Sequence, residues 1–386
     1  MNRDAAVLEA EYDTNVNGFT SVYEVLAIDF APLIIKKQYQ KQPDNLPADL
    51  SRWFRGRGIP AWRDQLDILL ARLGVQTPEE LLDKSFGLSL SDQYWLKPAD
   101  SSVMYDDINF FDHEFDSADF LEASFSNSSS RDHHEVSLHS PNNTTDGMLR
   151  KTWVIENGKR YLLKGGYKGD SLQPFNEVLA TMICQKLGFP HIAYTLGEAK
   201  GRLVSKCECF TTKDTEIIPA YQVLSGYEQH DSFKDYEKYI QLLEEQGIND
   251  AREQIENMLV LDFLIMNEDR HLNNFGVIRD VNTLKWLGVM PIFDNGQALN
   301  VLSYGAGGVS VRGEGQFFNE IVGFDKMLEA LHSFERFDFD KLEGVVEEFG
   351  ELLAANIEIG ALSRERIDAL CRVLSGQIVK IRQKQN

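Results

Sequence analysis

The sequence predicts an α+β chain of two lobes, a small β-rich one followed by a larger, mainly helical one, with an extra region ahead of both. Three observations carry this. Strand-like segments and one strong hairpin signal fall between about Glu135 and Phe210. Segments of helical periodicity dominate from Tyr236 to the end of the chain. Between two apolar segments sits a polar knot, Asn267-Glu-Asp-Arg-His-Leu-Asn-Asn274, broken only by Leu272. Such a knot reads as a loop held rigidly at the edge of a core. The expected division is 1–130 for the extra region, 131–210 for the small lobe and 211–386 for the large one.

The composition fits a folded chain of this size. Of 386 residues, 43% are hydrophobic, enough for a full core. The formal net charge is −21, which argues against direct nucleic-acid binding, since phosphate contacts need clustered Lys and Arg. The N-terminus has no signal-peptide core, and Val25 to Ile35 contains Asp and Pro and is too short to span a bilayer. The expected location is cytoplasmic, without a membrane partner. Of the four cysteines, Cys207 and Cys209 sit one residue apart, but no second pair completes a zinc site. Buried free thiols are the better reading.

In the extra region, residues 1 to about 20 are polar and expected to fray. Pro60 to Gly74 reads as a helix, with Trp62, Leu66, Leu69, Leu70 and Leu73 on one face and Gly74 as its stop. Thr77-Pro78 reads as the capped start of another. Arg55, Arg57 and Arg63 could touch phosphates, but a solvated patch or internal ion pairs is favoured. From Asp100 to Asp132, Asp and Phe interleave and serines crowd together, including Ser128, Ser129 and Ser130. That texture suggests a loosely packed connection or a surface strap.

In the small lobe, Lys151 to Ile155 and Arg160 to Lys164 read as strands around Asn157-Gly158, a type I′ turn signal. The turn-rich segment Ser140 to Gly147 precedes them, where phosphate-cradling loops sit in kinases. It has no Gly-rich pattern, so Asn143, Thr144 and Thr145 are nucleotide candidates by position only. Lys164 ends the second strand. A helix from Pro174 to Leu187 follows, with Glu177 near its start. A strand lysine braced by a helix acid is how kinases hold the α- and β-phosphates. Glu177 is equally a first-turn acid favoured by the helix dipole. Arg202 to Phe210 reads as the last strand, with Glu208 to Phe210 as a hinge for adenine or as plain strand and loop.

In the large lobe, Asp269 and Asn274 stand five positions apart. That is the spacing of the kinase catalytic loop, where the Asp accepts the proton of the acceptor hydroxyl and the Asn holds magnesium. Downstream, Pro291-Ile-Phe-Asp-Asn-Gly296 carries apolar residues into Asp-x-Gly, a second magnesium signal at Asp294. His271 either touches the γ-phosphate or braces the loop. Arg270 is expected in a structural ion pair. Val301 to Gly315, rich in glycine, reads as a flexible loop beside the cleft. Phe339 to Ala355 and Ser363 to Gln383 read as helices. A metallohydrolase using Asp269, His271 and Asp294 competes as an enzyme, but His133 and His134 are too close to complete it and no H-E-x-x-H cluster appears.

Taken together, Asn267 to Asn274, Asp294, Tyr161-Leu-Leu-Lys-Gly-Gly166 and Phe175-Asn-Glu177 resemble the HipA-like kinases, bacterial Ser/Thr protein kinases with a two-lobed protein-kinase-like fold. The resemblance covers about Ser140 to the C-terminus. It implies ATP and Mg²⁺ as cofactors, Asp269 as catalytic base, Asn274 and Asp294 as metal ligands and Lys164 as the nucleotide lysine. It also implies a Ser/Thr protein substrate, a toxin–antitoxin setting and an antitoxin-like regulator as partner. Asp-Arg-His-x-x-Asn resembles phosphatidylinositol kinases too, so a lipid kinase is the alternative. From another class, a nucleotide-binding scaffold that has lost catalysis fits the missing Gly-rich pattern.

Overall fold

The computed structural model describes residues 1–126, 137–167, 172–299 and 313–385. The readings on Ser128, Ser129, Ser130, His133, His134 and on Gly305, Gly307 and Gly308 lie outside the described residues.

The N-terminus is docked rather than frayed. β1 (Leu8–Asp13) and β2 (Gly18–Val25) form an antiparallel hairpin. The Met1 ammonium donates to Trp95 O at 3.0 Å, and Asn2 is buried with its Nδ2 on Phe30 O. α1 (Leu33–Lys41) and α2 (Leu46–Arg55) close a core of Val7, Phe19, Ile35, Leu50 and Phe54 against the hairpin.

α3 (Leu66–Leu73) is half the helix predicted. Gln65 takes a left-handed φ of 57°, which breaks the helical path, and Trp62 is 70% exposed instead of buried. The break leaves Arg63 reaching away from the helix, onto the backbone at Thr145 and Gly147. The rest of the apolar face, Leu69, Leu70 and Leu73, is buried as expected, and Gly74 ends the helix at φ 73°. α4 (Pro78–Lys84) starts as the sequence indicates: Thr77 Oγ1 accepts from Glu80 N.

The Asp/Phe-rich stretch is packed, not loose. α5 (Tyr105–Ile108) and α6 (Ala118–Phe125) alternate buried aromatics with solvated acids, and Tyr105, Phe110, Phe120 and Phe125 are fully buried. Phe125 sits in the core of the next sheet with Val154, Leu163 and Val204.

That sheet is formed by β3 (Lys151–Glu156) and β4 (Lys159–Gly165), then, after α7 (Leu172–Leu187), by β5 (Tyr194–Ala199) and β6 (Arg202–Glu208). All neighbours are antiparallel, in the order β3-β4-β6-β5. The β3–β4 turn has Asn157 at φ 51° and Gly158 at φ 75°, both positive as a type I′ turn demands.

The larger lobe begins with β7 (Thr215–Pro219), a strand the sequence reading missed, and α8 (Ala220–Leu224). α9 (Ser232–Glu245) and α10 (Ala251–Ile265) carry the helical periodicity expected from about Tyr236 onward. β8 (Gly276–Asp280) and β9 (Trp286–Val289) form a hairpin and join β7 in a three-stranded sheet. β10 (Glu314–Phe317) and β11 (Glu320–Gly323) pair where a flexible loop was expected to end. Gly315 is there for close approach: a Cβ on it would lie 2.8 Å from Asn267 O and 2.9 Å from the Phe324 ring. α11 (Phe324–Met327), α12 (Val345–Ala355) and α13 (Arg364–Gln385) complete the lobe. Gly344, at φ 81°, separates a short 3-10 turn from α12, so the helix predicted over Phe339 to Ala355 is split.

The largest core runs from α7 through α10 into α12 and α13, including Phe175, Leu179, Leu261, Phe263, Phe349 and Leu374. α7 therefore carries one face for the small sheet and one for the helical body. The N-terminal region bolts onto both. Gln93 Nε2 donates to Thr212 O and Thr215 O on the crossing between lobes, and Lys37 Nζ donates to Val223 O at the end of α8. Arg57, one of the three arginines considered for phosphate, is paired with Asp92 inside this region.

Candidate active site

The polar knot is a loop clamped from below. α10 ends at Met266, whose φ of 51° turns the chain out of the helix. Asp262, on the last turn, is buried and receives Arg270 by two bonds, Nε to Oδ2 at 2.9 Å and Nη2 to Oδ1 at 2.8 Å. Asn267 Nδ2 also donates to Asp262 Oδ1. Arg270 then donates to Asn274 O, Phe293 O and Asn295 Oδ1. One buried guanidinium thus ties α10, the 267–274 loop and the 293–295 segment together. The ion pair expected of Arg270 exists, with Asp262 as its acid. Burial disfavours the charge, but Asp262 outweighs it and raises Arg270 above the ordinary arginine range.

Above this clamp the loop presents its chemistry. The Asp269 side chain is 43% exposed. Asn274 Nδ2 donates to Asp269 O at 2.8 Å, which fixes the amide and leaves its Oδ1 as the outward atom. His271 Nδ1 accepts from Asn273 N, so a neutral ring carries its proton on Nε2. That Nε2 is 3.9 Å from Asp269 Oδ1, beyond a hydrogen bond. Desolvation first, and then the negative charge of Asp294, raise the Asp269 carboxyl above the usual carboxylate range; His271 opposes this.

Three residues far apart in sequence meet opposite the loop. Lys164, at the end of β4, is buried and donates to Glu177 Oε1 of α7 and, at 2.6 Å, to Asp294 Oδ1. Glu177 Oε2 accepts from Asn295 N at 2.9 Å. Asn176 Nδ2 donates to Gly296 O and Ala298 O. Two adjacent residues of α7 therefore hold the whole 294–298 segment. Asp294 itself has φ 55°, a left-handed conformation that Asp tolerates better than most residues. Burial opposes its charge, yet Lys164 and then Lys151 hold it well below the carboxylate range. Burial raises Glu177, with Lys164 opposing.

The remaining sequence candidates fall elsewhere. Asn143 and Thr145 are buried, with Asn143 Nδ2 on Leu81 O and Leu138 O and Thr145 Oγ1 on Asn142 O. Thr144 Oγ1 bonds Leu88 O and Pro141 O. Their side chains face the N-terminal region rather than the cleft. Glu208 points outward and pairs with Lys159. The Phe210 ring lies 5.9 Å from that of Phe293, beside Asp294, so an aromatic pair edges the site. Cys207 and Cys209 are free thiols, Cys207 pushed up to about 12 by burial.

Sequence reading missed Lys151, Asn176 and Asp262, and expected Arg63 in a solvated patch or an ion pair. Lys151 lies directly across the β3–β4 ladder from Lys164. Arg63 is buried and donates to Thr145 O, Thr145 Oγ1 and Gly147 O, pinning the turn beside Lys151.

The donor set suits magnesium bound with nucleotide. Mg²⁺ takes oxygen ligands and commonly only one or two from protein, the rest coming from phosphates and water. Asn274 Oδ1 and the ionised Asp294 carboxylate are such a pair. Among the described residues no three of His, Cys, Asp and Glu come together as a metal cluster, so a self-sufficient transition-metal site is not what these residues build. No helix among the described residues is long and apolar enough to cross a membrane.

The solved structures similar to the chain include these two. One is the Helicobacter pylori proinflammatory kinase CtkA, at 17% sequence identity and a TM-score of 0.45, over 61% of this chain and 94% of that one. The other is HipA of Shewanella oneidensis MR-1, solved with HipB and its operator DNA, at 14% identity and a TM-score of 0.49, over 100% of this chain and 96% of that one. No family model and no curated protein matches the sequence.

Proposed function

We propose that the chain is an ATP- and Mg²⁺-dependent kinase that transfers the γ-phosphate to a Ser or Thr hydroxyl of a protein. The observation that carries this is the meeting of Lys164, Glu177 and Asp294 within one hydrogen-bonded group, facing a loop that presents Asp269 and Asn274. Phosphoryl transfer needs little covalent work from a protein; positioning and charge compensation do most of it.

Each residue has a defined task in this reading. Lys164, fixed by Glu177, holds phosphate oxygens. Asn274 and Asp294 would hold the metal, which supplies charge neutralisation on the phosphates. Asp269 orients the acceptor hydroxyl and takes its proton. Its raised carboxyl makes it a stronger base than an ordinary aspartate. Arg270 acts through the backbone: it sets where Asp269, Asn274 and Asp294 stand relative to one another. Phe210 and Phe293 offer an apolar wall for a base.

A protein acceptor is preferred to a lipid one. A net charge of −21 is repelled overall by an anionic membrane. A cytoplasmic setting and an antitoxin-like protein regulator belong to the same proposal. The test is incubation of the purified chain with labelled ATP and Mg²⁺, against a cell lysate and against a lipid panel. Label in protein supports the reading; label in lipid alone replaces the acceptor; ATP binding without any transfer favours a scaffold.

A further inference from the structure

The β3–β4 ladder places Lys151 and Lys164 directly opposite each other, with side chains on the same face of the sheet. Like charges at opposed positions destabilise a strand pair. Lys164 is compensated by Glu177 and Asp294. The Lys151 ammonium makes no ion pair or hydrogen bond among the described residues. Lys151 is half-buried, and its Nζ lies under the Asp146-Gly147 turn, where a Cβ on Gly147 would stand 2.8 Å away. Arg63 holds that turn by the carbonyls of Thr145 and Gly147, so the backbone over Lys151 is fixed from behind.

We propose that Lys151 is a second phosphate-binding lysine, taking a non-bridging oxygen of the terminal phosphates of ATP from the side of the Asp146-Gly147 turn while Lys164 takes its own from the side of α7. The inference rests on the ATP reading above and adds a specificity to it: the site grips the polyphosphate between two opposed strand lysines. The geometry explains two otherwise separate facts. Two cations face each other on one ladder rung. One of them has an ammonium that makes no hydrogen bond or ion pair among the described residues. The electrostatics agree, since burial and the neighbouring Lys164 lower Lys151 to about 8 and Asp294 opposes them, a balance that an added anion would tip toward the charged form.

The experiment is calorimetric titration of the full chain with ATP, ADP and AMP, with and without Mg²⁺, for wild type, K151M, K151Q and K151R. The expected result is a loss of about tenfold or more in ATP affinity for K151M and K151Q, as for one charge-assisted hydrogen bond. AMP affinity should stay unchanged, and K151R should keep part of the ATP affinity. Nucleotide-free melting of each variant reports its folding. An unchanged ATP-to-AMP affinity ratio in the uncharged variants overturns the inference, whether both affinities hold or both fall together. Absence of ATP binding by the wild-type chain is a different result: it overturns the kinase reading itself.

Discussion

Lys164 Nζ donates to Asp294 Oδ1 at 2.6 Å, across 130 residues of chain. The same ammonium serves Glu177, so one cation pairs with two carboxylates. Removing it should be costly. Lys164→Met leaves Glu177 buried and unpaired, and a broken buried pair costs about 3–5 kcal/mol. Urea unfolding should show this loss, and the double variant Lys164→Met/Glu177→Gln should recover a substantial part of it. No recovery would mean that the cost lies in packing rather than in the orphaned carboxylate.

Arg270 should behave as a structural keystone rather than a catalytic group. It makes five hydrogen bonds to four residues, Asp262, Asn274, Phe293 and Asn295. Arg270→Lys keeps the charge but cannot reproduce the forked geometry. The lysine variant should therefore lose stability nearly as far as Arg270→Met, on the order of 3 kcal/mol or more. A fully stable Arg270→Lys protein would show that charge alone, without the fork, holds the loop.

The pH profile follows from Asp269. As a base it must be ionised, and its carboxyl is raised in the folded chain, so activity should fall as pH drops through a value above the ordinary aspartate figure of about 3.9. The acid limb of kcat/KM measures this. His271 lowers the Asp269 value, so His271→Gln removes that help and should move the acid limb to higher pH. A limb that moves down, or stays fixed, would detach His271 from the base.

Arg63→Ala should loosen the turn at Thr145 to Gly147. The variant removes the donor to two backbone carbonyls, one of them in a buried bond, and an unsatisfied buried acceptor costs about 1–3 kcal/mol. Amide exchange at residues 145–147 should quicken, and KM for ATP should rise more than kcat falls. Equal changes in both would place the effect in general destabilisation.

Much of this arrangement was legible in the sequence. The Asn157-Gly158 turn fixed the hairpin, and the Lys164, Glu177, Asp269, Asn274 and Asp294 spacing named residues that the fold brings to one cleft. Lys151 was legible too and was overlooked: a two-residue turn pairs 156 with 159 and so 151 with 164. Other features were not. Nothing local in Asp262 says that it will sit under Arg270, because that contact depends on how α10 ends. Trp62 was misread since Gln65 leaves the helical region, an event that helix periodicity cannot register. The Asp/Phe stretch looked loose because its aromatics are anchored one at a time rather than at a regular period. Asn143, Thr144 and Thr145 were chosen by position along the chain, and position says nothing about which way a turn faces.

The central claim is that Asp269 takes the acceptor proton in a phosphoryl transfer. The most direct measurement is the initial rate of label transfer from γ-labelled ATP to protein by wild type and Asp269→Asn, with ATP affinity measured alongside. Loss of a general base predicts a fall of about 10²–10⁴-fold in rate with ATP binding retained. Transfer by Asp269→Asn at the wild-type rate would contradict the account.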